Sequence, residues 1–84
     1  MPRYFFDIDD GESSTEDDEG LMLDDREQAR LYAIGALPTI AEEVLPDGER
    51  RTFVIVVRDE TRRAIFRASL SFLSEWIVPV TDDR

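Results

Sequence analysis

Apolar and polar positions alternate with period two in three stretches of this chain and recur with helical period in a fourth. From Arg3 to Asp9, Tyr4, Phe6 and Ile8 fall on one side and Arg3, Phe5, Asp7 and Asp9 on the other, which predicts a half-buried strand. Two further β-rich runs flank the polar break Asp59-Glu60-Thr61-Arg62 and predict an antiparallel hairpin from Thr52 to Leu73. In its first strand Phe53, Ile55 and Val57 share a face, with Thr52, Val54, Val56 and Arg58 behind. In its second, Ala64, Phe66, Ala68, Leu70 and Phe72 share a face, with Ile65, Arg67, Ser69, Ser71 and Leu73 behind.

Between strand and hairpin, Ala29, Ala33, Ala36, Leu37, Ile40 and Val44 form one stripe at helical spacing, and the small alanines suit close approach to a sheet. Asp24 is the expected cap, with Glu27 reaching back as in a capping box. Pro38 removes a backbone hydrogen bond, which predicts either one kinked helix, the favoured outcome, or a break near Leu37. Gly11 and Gly48 mark turns, the second after Leu45-Pro46-Asp47. Ser13 to Glu16 reads either as a short second strand or as loop, and Leu21 to Leu23 as a patch docking on the core edge.

The expected fold is α+β: a small antiparallel sheet of three or four strands with one helix on one face, in the order β-(β)-α-β-β. Residues 1–80 form the domain and residues 81–84 a frayed tail. The expected core is Tyr4, Phe6, Ile8, Leu23, Ala33, Leu37, Ile40, Val44, Phe53, Ile55, Val57, Phe66, Ala68, Leu70 and Phe72. One helix leaves the back of the sheet open, where Phe5, Val54, Val56 and Ile65 mix with Arg3, Asp7, Arg58 and Arg67. The apolar Trp76–Val80 tail either folds over that side or leaves it to a second subunit.

Composition narrows the chemistry. The 84 residues contain no cysteine, no histidine and no lysine, so thiolate metal sites, cysteine nucleophiles, histidine bases and lysine Schiff bases are excluded. A domain this small without staples often gains stability by oligomerising, which makes a homodimer the prior. The net charge of −10 argues against nucleic acid and anionic membrane surfaces as partners. No apolar run is long enough to cross a bilayer and no signal-peptide pattern opens the chain, so a cytoplasmic location is expected.

Asp7, Asp9, Asp10, Glu12, Glu16, Asp17, Asp18 and Glu19 crowd one stretch, but counted from Asp7 the glycine falls one place early for a calcium loop and an Asp closes it. The cluster therefore reads as solvated acidic surface first, and as a recognition patch for a basic partner second. Carboxylate acid–base catalysis needs a cleft that so short a chain hardly supplies, so no enzymatic activity and no cofactor are expected. Arg50, Arg51, Arg58, Arg62, Arg63 and Arg67 gather in the hairpin, opposite in sign to residues 1–28. Pairing within the subunit, or an acidic edge meeting a basic edge of another copy, both account for this. Interaction residues are expected at Phe5, Val54, Val56, Ile65, Arg67, Leu73, Trp76 and Ile77, with Trp76 the aromatic anchor.

The opening Met-Pro-Arg-Tyr-Phe-Phe-Asp with Asp10-Gly11, the Asp18-Glu19-Gly20 loop followed by Leu23, and Val56-Val57-Arg58-Asp59-Glu60 leading to Ile65-Phe66-Arg67-Ala68-Ser69-Leu70 resemble a family of short bacterial proteins of unknown function. Pro38, and Thr61-Arg62-Arg63 in place of a glycine-containing turn, depart from that pattern. In layout alone the chain is also similar to HicB-type antitoxins. Two functions follow as expectations: a homodimerising interaction module, or an acidic, antitoxin-like inhibitor of a basic protein.

Overall fold

A computed structural model describes residues 1–46 and 48–78. Its elements are β1 (Arg3–Asp9), β2 (Ser14–Thr15), β3 (Leu21–Met22), α1 (Arg26–Val44), β4 (Arg50–Arg58) and β5 (Ala64–Leu73). The order is β-β-β-α-β-β once the two short strands are counted separately, and the class is α+β as expected. All pairings are antiparallel: β4 lies between β1 and β5, and both short strands pair with the outer edge of β1.

Ser14–Thr15 is a strand after all, pairing with Ile8 and Asp9, and Leu21–Met22 adds a fifth strand opposite Arg3 and Tyr4. Together they behave as one edge strand interrupted by a loop, because residues 16–20 must span only residues 5–7 of β1. The excess chain bows out of the sheet there.

Alternation sets the core. Phe6 pairs with Val57 and Ile8 with Ile55, while Phe53, Ile55 and Val57 pair with Leu70, Ala68 and Phe66, so these side chains share the face under α1. Phe53, Ile55 and Val57 are fully buried. From the helix, Ala29, Ala33, Leu37 and Ala41 meet them along a single row four residues apart, so the alanines bring the helix close. α1 packs mainly on β4 and β5. Leu31, Tyr32 and Ile34, outside the buried row, remain exposed.

The helix continues through Pro38 as one element, with the proline on its exposed side, away from the buried row. Its cap is Asp25 rather than Asp24: the Asp25 carboxylate accepts from the Gln28 N–H at 3.0 Å. Glu27 does not reach back to the cap but pairs with Arg30 at 2.7 Å. Adjacent aspartates offer the same cap chemistry, and only the chain's entry angle selects between them. Gly11 and Gly48 take positive φ as the turns require. Asp47 and residues 79–84, including the end of the expected Trp76–Val80 tail and the frayed segment, lie outside the described residues.

Two core expectations change. Leu70, expected inside, is 38% exposed because it lies toward the end of β5 that the helix does not cover. Phe5, expected on the open back, is 5% exposed for reasons given below. Truncating the fully buried Ile55 to alanine is expected to destabilise the domain by about 2–5 kcal/mol, read from urea unfolding midpoints. Leu70→Ala is expected to cost less than half of that in the monomer.

Candidate functional site

The back of the sheet is organised by one guanidinium. Arg58 donates from Nε to Asp7 Oδ2 at 2.7 Å and from Nη2 to Asp7 Oδ1 at 2.9 Å, a two-pronged pair across the β1–β4 ladder. The same Nη2 donates to the Asp17 carbonyl at 3.1 Å and lies 3.8 Å from Glu16. Asp17 completes the arrangement. Its N–H donates to Asp7 at 2.9 Å, and its own carboxylate accepts from the Phe6 N–H at 3.0 Å and from the Glu19 and Gly20 N–H groups at 3.1 Å each.

Asp17 thus supplies the acceptor that a strand would have offered to β1 where β2 and β3 part. The Arg58 hydrogen bond holds the Asp7 carboxyl below its ordinary range against the opposing effect of burial. For Asp17 burial pushes the carboxyl up, but the Gly20, Phe6 and Glu19 N–H groups outweigh it and leave the group lowered. Gly20 closes the loop at φ +72, where a Cβ would lie 2.8 Å from the Tyr4 carbonyl oxygen, so only glycine passes this close to the strand.

Phe5 lies under this charged network. Arg58 and Arg62 carry their guanidinium carbons to 5.1 and 4.5 Å from its ring centre, two cation–π contacts that roof it. Arg62 adopts φ +69 in the β4–β5 turn, a left-handed conformation that costs a non-glycine residue about 1 kcal/mol. The turn around it is held by Asp59, whose Oδ1 accepts from the Thr61 N–H, the Thr61 hydroxyl and the Arg63 N–H. Asx-type bonding and the contact with Phe5 explain an arginine where a glycine was expected.

Ile65 is the second correction among the expected interaction residues. Val57 pairs with Phe66 but Arg58 pairs with Ala64, so Ile65 is an extra residue in a β-bulge. The bulge turns Ile65 onto the helix side, where it packs against the core. Val54, Val56 and Arg67 do share the back face, with Val56 directly opposite Arg67. The two valines are half-buried and Arg67 is exposed. Leu73 lies opposite Arg50 at the far end and is 64% exposed. Trp76 and Ile77 are 76% and 88% exposed, so these residues do not cover their own sheet.

Two features of the surface escaped the sequence reading. The outer edge of β5, ten residues long, has no strand beside it among the described residues. A groove of about 850 Å³ opens between α1 and the β2–β3 loop. Phe6, Ile8, Leu31, Tyr32 and Ile40 give it an apolar lining, while Glu16, Asp18 and Glu19 stand along its rim. It opens because α1 packs mainly on β4 and β5, and on the β1 side Tyr32 reaches over, its ring 4.7 Å from that of Phe6. Leu31 and Tyr32, apolar residues outside the helical stripe, were its signal in the sequence. Among the described residues no three carboxylates are placed to hold a metal ion, and no helix is long and apolar enough to cross a membrane.

A family profile described as a domain of unknown function (DUF6894) matches residues 3–71, from the first residue of β1 to within two residues of the end of β5. The chain belongs to the DUF6894 family. No curated protein and no solved structure matches the chain. The matched DUF6894 segment contains the whole Asp7–Arg58–Asp17 network and stops before Leu73 and Trp76.

The lowered Asp7 and Asp17 carboxyls stabilise the fold above the ordinary carboxylate pKa of about 4, and that contribution is lost as pH falls through their lowered values. Asp17→Asn is therefore expected to be less stable than wild type at pH 7 by about 1–3 kcal/mol. The gap should narrow as pH falls below the ordinary carboxylate value of about 4 and through the lowered one, as measured by urea unfolding at a series of pH values. A gap independent of pH would show that the charge of Asp17 contributes nothing.

Proposed function

We propose that this protein is a non-enzymatic interaction module that associates with a second copy of itself. The observation that carries this reading is the ten-residue outer edge of β5, which has no strand beside it among the described residues. An edge of that length with a single charge, no proline and unpaired backbone groups is a template for strand addition, and natural sheets usually blunt such edges. Exposed Leu70 and Leu73 lie on β5, and Trp76, Ile77 and Val78 follow it directly. Sedimentation is the test. Wild type is expected to run as a dimer at micromolar concentration, Leu70→Lys as a monomer and Trp76→Ala as a weakened dimer. Wild type that stays monomeric at high micromolar concentration overturns the reading.

The acid-rimmed groove favours a second reading, an antitoxin-like protein that neutralises a basic partner. Its apolar lining and its carboxylates suit an apolar side chain flanked by arginine or lysine. An arginine-flanked amphipathic peptide is expected to bind at low salt, to weaken at least tenfold at 0.5 M salt, and to be lost in the triple variant Glu16→Gln, Asp18→Asn, Glu19→Gln. Binding unaffected by that triple variant would rule the groove out.

A further inference from the structure

We infer that two copies pair β5 to β5 antiparallel about a two-fold axis through Ser69, with Glu75 of each copy beside the Arg62–Arg63 turn of the other. The inference deepens the self-association proposed above and depends on it. The Ser74 N–H donates to the Glu49 carbonyl at 2.7 Å, on the β4 side. Successive residues of a strand aim their backbone groups to opposite sides, so Phe72, Leu70, Ala68 and Phe66 also bond toward β4. Leu73, Ser71, Ser69 and Arg67 therefore present N–H and C=O groups to the open edge.

Side-chain chemistry and overlap together choose the register, since an axis through Ser71 would pair only residues 69–73 of β5. A two-fold axis through Arg67 sets two guanidinium groups against each other, which is unfavourable. An axis through Leu70 places Ile65 against Glu75, and one through Ala68 places Arg63 against Leu73. With the axis at Ser69, Phe66 faces Phe72 and Ala68 faces Leu70 of the other copy on the helix side, and Arg67 faces Ser71 on the back. The half-buried phenylalanines and the exposed Leu70 gain cover from one another. Glu75 arrives beside Arg62 and Arg63, and neither Glu75 nor Arg63 has an ion-pair partner among the described residues. Trp76, left exposed by its own subunit, then runs alongside the other copy's β4–β5 turn.

The absence of cysteine allows a direct test by single-cysteine cross-linking. Ser69 and Ser71 are exposed, so Ser69→Cys and Ser71→Cys leave the core unchanged. Across the axis two residues at position 69 have Cα atoms about 5.5 Å apart, within disulfide reach, whereas two at position 71 are about 14 Å apart. Under mild oxidation Ser69→Cys is expected to cross-link at least tenfold faster than Ser71→Cys. A protein that sediments as a dimer but cross-links equally well at 71 overturns the register and leaves self-association standing. A protein that sediments as a monomer overturns both. As a further arm, Glu75→Arg is expected to weaken the dimer several-fold and Arg63→Glu in the same chain to restore it; no restoration overturns the charge pairing.

Discussion

The Arg58 guanidinium is the point on which the sheet depends. It joins β4 to β1 through Asp7 and reaches the Asp17 carbonyl in the loop between the two short strands. Charge-assisted bonds of this kind are shorter and stronger than neutral ones, and here they replace regular ladder bonds where the edge strand is interrupted. Asp17 is the counterpart, with three backbone N–H groups converging on its carboxylate. Part of the acidic crowding at residues 7–19 is thus structural: Asp7 and Asp17 hold the edge, and Asp9 and Asp10 accept N–H bonds in the first turn. Glu12 pairs with Arg51, and what remains is Glu16, 3.8 Å from Arg58, with Asp18 and Glu19 along the groove.

The lateral position of the helix follows from its buried row. Alanines at 29, 33 and 41 let α1 approach β4 closely, and the bulge at Ile65 pushes an extra apolar side chain under the N-terminal part of the helix from the β5 side. Both effects hold the helix over the hairpin. Over the outer part of β1 the helix contributes the Tyr32 ring against Phe6, and the groove is the space beside it. The two faces of the sheet differ for related reasons. Under the helix, burial is apolar, while on the back the same enclosure of Phe5 is achieved by two arginines.

Strand faces, the helical stripe and the overall order could be read from the chain because each depends on periodicity within one segment. Tyr4, Phe6, Phe53, Ile55, Val57, Ala33 and Leu37 are buried as that periodicity implies. The misreadings concern relations between segments. Nothing local to Ala64-Ile65-Phe66 announces that the register slips by one residue, yet the slip transfers Ile65 from the back face to the core. Phe5 has the right phase for an exposed residue, and only arginines more than fifty positions away bury it. The contribution of Leu21–Met22 to the sheet was hidden for the same reason, because a two-residue strand has no period of its own.

The two borders of this sheet are unlike each other. The border beyond β1 consists of two-residue strands separated by an acidic bow, and it offers no continuous run of backbone groups to another chain. The β5 border is long and, beyond the bulge at Ile65, unbroken from Phe66 to Leu73. A sheet with two good borders can add subunits indefinitely and grow into a fibre. In the self-association proposed above, joining like to like uses the β5 border of both molecules, and the broken strand beyond β1 would then act as a terminator that ends growth at two.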